Sequence, residues 1–253
     1  MNSVIVRNVK IGEGKPKICV PILGKTEEEI LNMAKEVKRL DVDLVEWRAD
    51  WYEFVSDYNK VEDILYKLRK IVEDKPILFT FRTEKEGGNI AISNAEYVAL
   101  NKYVCEKQLA DMIDVEMFSG EEVIREIITY AHEHDTVVVG SNHDFGVTPS
   151  KKQIITRLQL MQYFHADIIK IAVMPREKED VIALLLATEE MVNKHAKVPV
   201  VTMSMSRLGV LSRVSGELFG SAITFASAGI ASAPGQIPVD SMKAVLEILS
   251  MEQ

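Results

Sequence analysis

The sequence predicts an α/β protein, a (β/α)8 TIM barrel with an N-terminal β-hairpin. Three observations support this prediction. Short apolar runs recur about every 25 to 35 residues, amphipathic helical patterns lie between them, and no Gly/Ser/Pro-rich linker divides the 253 residues. Strands and helices that alternate in this way are typical of the barrel. A doubly wound open sheet is the alternative, because periodicity alone does not show that the sheet closes.

We expect a single domain over residues 1–253, with residues 1–15 as the hairpin extension. The segment 4–11 alternates apolar and polar residues and is followed by Gly12 and Gly14, which is typical of a hairpin. Eight predicted barrel strands follow it. They are residues 18–22, 44–47, 77–81, 112–117, 137–141, 168–173, 198–205 and 222–226.

The stretches between these strands have helical periodicity. Thr26 and Glu29 form a capping-box pattern, and Ile30 begins the apolar stripe of the first helix. The later amphipathic stretches are residues 64–72, 123–131, 154–161, 181–191 and 242–249. Chemistry in such a fold belongs at the carboxyl ends of the strands.

Composition excludes several classes of function. The net charge of −8 argues against a nucleic-acid surface. No signal peptide or membrane span is evident, so we expect a cytoplasmic protein without membrane partners. Cys19 and Cys105 lack metal-ligand spacing and are predicted to be buried free thiols. No metal cluster or Gly-rich phosphate loop is recognisable, so no cofactor is expected.

Lys170 lies inside the sixth predicted barrel strand. It shares one face of that strand with Ile168 and Ala172. Burial disfavours an ammonium, so we expect a neutral amine that can attack a carbonyl and form a Schiff base. The structural alternative is a lysine that reaches solvent or pairs with a carboxylate.

His143 differs from the other four histidines, because it alone ends a predicted strand. Its ordinary pKa of about 6.5 suits proton transfer near neutrality. A ring bonded only to local backbone is the structural alternative. Asp144 is expected to point away from the ring, so Glu86, in a loop with Gly87 and Gly88, is the better candidate to orient it.

Further polar and flexible side chains follow the predicted strands. Glu46 and Arg48 share a face at the end of the second barrel strand, and Arg82 ends the third. Glu46 and Arg48 could instead form a solvated ion pair, and Arg82 or Arg213 could instead support loops. The remaining candidates are Met203 and Met205 on the seventh barrel strand, Arg213 in a polar turn-forming loop after it, and the 231–236 loop after the eighth.

At these residues the sequence resembles the type I 3-dehydroquinate dehydratases, Schiff-base enzymes of the shikimate pathway to chorismate and the aromatic amino acids. The resemblance covers nearly the whole chain. It is carried by residues 46–48, 79–82, 85–88, 141–145, 170–175, 203–205, 212–213, 219–221 and 232–236. It implies a hydro-lyase that needs no cofactor, acts on the small anion 3-dehydroquinate and forms a homodimer.

The resemblance also implies roles for most of these candidates. Lys170 would form the imine with the C3 ketone, and His143 would move the protons. Arg213 would hold the substrate carboxylate, and Glu46, Arg48 and Arg82 would fix the ring hydroxyls. Ser232 and Gln236 would close over the substrate. A class I Schiff-base aldolase and a non-catalytic keto-acid-sensing barrel are the alternatives, since fold alone does not determine function.

Overall fold

A computed structural model describes residues 3–229 and 232–250 of the chain. Residues 1 and 2 of the predicted hairpin extension, Ile230, Ala231 of the last predicted loop and residues 251–253 lie outside the described residues. Across the described residues, strands and helices alternate along the chain as predicted.

The described residues contain eight parallel strands in one sheet. They are β3 (Lys17–Ile22), β4 (Leu44–Arg48), β5 (Ile77–Thr80), β6 (Met112–Glu116), β7 (Val137–Asp144), β8 (Ile168–Val173), β9 (Val200–Ser204) and β10 (Ile223–Phe225). Each strand pairs with the next from β3 to β9, and β10 pairs with β3.

The barrel closes between β9 and the segment just before β10. Val200 forms an isolated parallel bridge with Ser221, and the backbone N–H of Ala222 donates to the carbonyl of Val200 at 2.7 Å. The barrel prediction is therefore confirmed, and the open-sheet alternative is wrong.

The N-terminal hairpin closes one end of this barrel. It consists of β1 (Val4–Val6) and β2 (Val9–Ile11), which pair antiparallel. Val6 and Ile11 are buried in the same apolar cluster as residues of the barrel strands. The barrel members of that cluster include Cys19, Leu44, Leu78, Met112 and Ile168. The hairpin thus fills the N-terminal end and leaves the carboxyl ends of the strands for the site.

The helices surround the barrel. They are α1 (Glu27–Lys38), α2 (Tyr58–Val72), α3 (Asn94–Lys107), α4 (Glu121–Glu133), α5 (Lys151–Tyr163), α6 (Lys178–Glu190), α7 (Val210–Val214), α8 (Gly216–Phe219) and α9 (Val239–Ile248). Shorter helical turns cover Ala49–Trp51, Glu84–Glu86 and Met191–His195. Within the described residues, no helix combines the length and the apolar character that crossing a membrane requires.

The first helix shows why the sequence pattern succeeds. The Thr26 hydroxyl accepts from the Glu29 backbone N–H at 3.3 Å, and the Glu29 carboxylate accepts from the Thr26 backbone N–H at 3.3 Å. Ile30, Ala34 and Val37 are completely buried. The capping box sets the start of α1, and the apolar stripe packs the helix against the barrel.

Two helical segments differ from the sequence expectation. The sequence pattern predicted no separate helix at α3, because its buried residues, which include Tyr97 and Asn101, do not form a single apolar stripe. The polar loop expected to carry Arg213 is instead the short helix α7, in which Arg213 is buried. That part of the prediction is wrong, because five residues are too few to show helical periodicity.

Candidate active site

Lys170 lies in the middle of β8 and points into the barrel. Only 3% of the residue is exposed. Its Nζ is 2.8 Å from Oδ2 of Asp114 and 4.0 Å from Oε1 of Glu46. The Nζ also lies 5.0 Å from the centre of the Phe225 ring. The pairing with a carboxylate that was considered as the structural alternative is therefore observed, because carboxylates on β4 and β6 reach the amine across the barrel.

Asp114 is the centre of a buried charge network. Its Oδ1 accepts from the Arg82 guanidinium at 2.8 Å and from the Ser141 hydroxyl at 2.5 Å, while Oδ2 accepts from Lys170. Burial alone would raise the pKa of Asp114, but the positive charges of Arg82 and Lys170 outweigh it and hold that pKa well below its usual range. Asp114 is thus a permanent carboxylate beside the amine.

Arg82 connects this carboxylate to its neighbours. Its Nη1 donates to Oε1 of Glu116 at 2.9 Å and lies 3.7 Å from Oε2 of Glu86. Burial would lower the pKa of Arg82, but Asp114, Glu116 and Glu86 together raise it well above its ordinary value. The guanidinium therefore remains charged despite complete enclosure.

His143 and Glu86 form a hydrogen-bonded pair. Oε2 of Glu86 lies 2.9 Å from Nδ1 of His143 and accepts from the His143 backbone N–H at 2.9 Å. We assign the proton to Nδ1, since an ionised Glu86 can only accept. Nε2 then carries a lone pair. Asp144 points away, as expected, and binds Arg157 at 3.2 Å.

The protonation of this pair follows from its environment. Burial, together with the charges of Arg82 and Lys170, holds the pKa of His143 well below its ordinary value, so the ring is neutral near pH 7. Burial raises the pKa of Glu86 to about 7, against the opposing charge of Arg82. A neutral imidazole beside a carboxyl group of this pKa can accept a proton from a bound molecule.

Arg48 and Glu46 flank the other side of the lysine. The Arg48 guanidinium makes two hydrogen bonds with Asp50, at 2.7 and 2.9 Å. Glu46 accepts from the Thr80 hydroxyl at 2.9 Å. The solvated ion pair considered for Glu46 and Arg48 is not observed, because both are buried and have other partners.

Arg213 is a buried guanidinium with few partners. It is 2% exposed, its Nη2 donates to the carbonyl of Pro234 at 3.0 Å, and its Nε has no hydrogen-bond partner. Burial lowers its pKa to about 10. Because none of the described carboxylates pairs with it, this cation can accept an anion from outside.

The loop after β10 lies over the same region. Gln236 and Ser232 bond each other twice, from the Ser232 backbone N–H to Oε1 and from Nε2 to the hydroxyl, each at 2.9 Å. Gly235 has a φ of +84°, and a Cβ there would lie 2.2 Å from the Ser206 carbonyl oxygen. Only glycine fits that turn.

Every predicted site residue lines one pocket of about 50 Å³. They are Glu46, Arg48, Arg82, Glu86, His143, Lys170, Met203, Met205, Arg213, Ser232 and Gln236. A larger cavity of about 310 Å³ lies behind Glu86 and His143 but does not contact Lys170. The smaller pocket is therefore the candidate active site, because Lys170 lines it. Within the described residues, no group of His, Cys, Asp and Glu side chains could hold a metal ion.

The prediction from sequence missed residues that hold the charges in place. Asp114 was not assigned to the site. Ser141, Asn142 and Phe225 were given no role in the site. The signal was available for Asp114, because a carboxylate inside a buried strand requires a cationic partner.

The chain matches proteins whose names and structures are known. The family model described as type I 3-dehydroquinase matches residues 18–253. A curated 3-dehydroquinate dehydratase of Clostridioides difficile is 50% identical over 247 residues, which cover 98% of this chain and 97% of that protein.

Solved structures agree over the same length. A type I 3-dehydroquinate dehydratase of Clostridium difficile, solved with covalent modified comenic acid, has a TM-score of 0.96 at 49% identity and covers 98% of each chain. A 3-dehydroquinate dehydratase of Geobacillus kaustophilus has a TM-score of 0.95 at 40% identity, with 98% of this chain and 96% of that chain covered.

Proposed function

The chain belongs to the type I 3-dehydroquinase family, and we propose that its pocket removes water from 3-dehydroquinate to give 3-dehydroshikimate through a lysine Schiff base. One observation carries the mechanism. The buried Lys170 amine and the His143–Glu86 pair line the same small pocket, so a nucleophile and a proton carrier face one bound ketone.

Covalent attachment is the first step. Nε2 of His143 takes a proton from Lys170, whose nitrogen then attacks the C3 ketone of the substrate. His143 returns that proton to the C3 hydroxyl of the adduct, which departs as water and leaves an iminium. Asp114, at 2.8 Å from the amine, balances the positive charge of the ammonium before the reaction and of the iminium during it. The Asp114 carboxylate therefore remains the counterion of the positively charged nitrogen while the bond forms.

Elimination follows on the attached substrate. The lone pair on Nε2 of His143 takes the C2 proton, and the electron pair of that C–H bond moves into the iminium to form an enamine. The enamine then expels the C1 hydroxyl, which leaves as water with the proton from His143. Glu86 holds the ring in the required tautomer through Nδ1. One water finally hydrolyses the imine and releases Lys170, so the net change is loss of one water.

The remaining side chains bind and enclose the substrate. Arg213 offers donors to the carboxylate, and the absence of a counterion for it among the described residues supports this role. Glu46, Arg48 and Arg82 provide the polar wall for the ring hydroxyls. Met203 and Met205 supply the apolar wall, while Ser232 and Gln236 cover the opening and limit water around the imine.

This scheme balances without a metal or an organic cofactor. From the family likeness we also propose that the enzyme acts in the shikimate pathway, in the cytoplasm and as a homodimer, with no nucleic-acid or membrane partner. Light scattering after size exclusion tests the dimer, because a single species of monomer mass at micromolar concentration would contradict it.

Two measurements test the function. Purified protein incubated with 3-dehydroquinate should produce the ultraviolet absorbance of the conjugated enone, and no rise with verified substrate would contradict dehydration. Borohydride should then reduce the imine and fix the adduct on the chain. Peptide mass mapping should find that adduct on Lys170, and an adduct on any other residue would overturn the mechanism.

A further inference from the structure

Glu86 depends on a third residue for its orientation. Its Oε1 accepts from the Asn142 side-chain amide at 3.1 Å, while Oε2 serves His143. This bond lowers the pKa of Glu86 against the burial that raises it. Asn142 does not line the pocket of Lys170, so it acts on the carboxylate from outside the reaction space.

An amide side chain alone does not determine which of its ends faces Glu86. The two ends have nearly equal size, and a flip would bring the amide oxygen against the carboxylate. Arg157 removes this ambiguity, because its Nη1 lies 3.0 Å from Oδ1 of Asn142. A guanidinium only donates, so it selects the amide oxygen and turns the NH2 group toward Glu86.

Arg157 is itself held firmly. It projects from α5, bonds Asp144 at 3.2 Å and lies 5.5 Å from the centre of the Phe118 ring. Asn142 and Asp144 share the outer face of β7, opposite to His143. Arg157 therefore fixes the outer face of β7 at its carboxyl end. The inner face of the same strand end carries His143.

We propose that Asn142 and Arg157 are positioning residues for the reaction, with Arg157 fixing the Asn142 amide and Asn142 fixing the Glu86 carboxylate that orients His143. The inference deepens the proposed function and rests on it. It extends the site by two residues that touch neither the substrate pocket nor the lysine.

The test uses the acid limb of kcat/KM against pH, which reports the ionisation of the free enzyme. The charged and titratable groups that face Glu86 are Arg82 after β5, Glu116 on β6 and His143 on β7. They are unchanged in an Arg157→Met variant. In that variant the Asn142 amide is free to flip, so the pKa of Glu86 rises and the acid limb moves to higher pH.

We expect Arg157→Met to move the limb up by about one pH unit and to lower kcat at pH 7 by about tenfold. KM and borohydride trapping should remain close to wild type. Arg157→Lys retains a donor and should recover most of the loss. Arg125→Met is the matched control, because Arg125 also lies against aromatic rings but binds only Glu121 among the carboxylates of the described residues.

A double-mutant cycle separates positioning from general loss of structure. In a Glu86→Gln background, Arg157→Met should have little further effect, because the carboxylate that it positions is gone. An equal effect in both backgrounds, or an unshifted acid limb, would overturn the proposal. If Arg157→Met does not fold, Asn142→Leu removes the donor directly and must give the same shift. Absence of turnover in the wild type would instead refute the proposed function.

Discussion

Lys170 and Asp114 form a buried ion pair across the barrel, with 2.8 Å between Nζ and Oδ2. The two residues are separated by 56 positions along the chain. Arg82 shares the same carboxylate at 2.8 Å. A single aspartate therefore serves as a counterion to two buried cations.

Asp114→Asn should therefore destabilise the fold. Removing the carboxylate leaves Arg82 and Lys170 buried without it, and the free energy of unfolding should fall by about 3 to 5 kcal/mol at pH 7. Urea unfolding measures this loss. Asp74→Asn, a change at an exposed position, is the control and should stay within about 0.5 kcal/mol of wild type.

The pH dependence gives a second check on Asp114. Its pKa is depressed in the folded state, so its contribution is present above the unfolded pKa and is lost as pH falls through the folded value. The difference between wild type and Asp114→Asn should therefore be constant near neutrality and shrink in acid. A difference that grows on acidification would contradict the assigned ion pair.

His143→Ala should separate attachment from elimination. The variant retains Lys170 and Asp114, so borohydride should still trap an adduct on Lys170. Turnover should fall by at least about 100-fold, because no group remains to move the C2 proton. His195→Ala, which changes a histidine outside the pocket, is the control. Near-normal turnover of His143→Ala would remove this residue from the mechanism.

Glu86→Gln should change how stability depends on pH. The pKa of Glu86 rises from 4.5 to about 7 on folding, so the folded state binds the extra proton and loses stability as pH rises between these values. The variant lacks this loss. The free energy of unfolding of the variant minus that of wild type should therefore increase by up to about 3 kcal/mol from pH 4.5 to pH 7. Parallel stability curves would contradict the raised pKa.

Arg213→Met should weaken substrate binding without weakening the fold. The guanidinium is buried, and within the described part of the chain its Nε has no hydrogen-bond partner, so its removal should cost little stability. The lost bonds to the substrate carboxylate should raise KM by roughly 100-fold. Steady-state kinetics and thermal unfolding measure the two effects. A large drop in melting temperature with unchanged KM would assign Arg213 a structural role instead.

Sequence reasoning predicted what depends on local periodicity. The alternation along β8 placed Lys170 on the same face as Ile168 and Ala172, and these residues face the barrel interior. The end of β7 likewise placed His143 at the mouth of the barrel, and Asp144 on the other face. Strand periodicity is a local property, so the sequence alone was sufficient.

Sequence reasoning could not predict contacts between distant strands. The pairing of Lys170 with Asp114 depends on the closure of the barrel and the relative positions of β6 and β8, which no local pattern encodes. Arg213 was placed in a loop because α7 is too short for a helical pattern. The role inferred for Arg157 depends on the direction of a guanidinium on α5, which only the folded structure reveals.

The hairpin that fills one end of the barrel also determines the route by which substrate enters and product leaves. Val6 and Ile11 close the N-terminal end of the barrel. Within the described residues, the opening beneath the Ser232–Gln236 loop therefore gives access to Lys170. Substrate must arrive by the same route that product takes to depart. Product must therefore leave this opening before the next substrate molecule can enter, and accumulated product competes directly with substrate for the site.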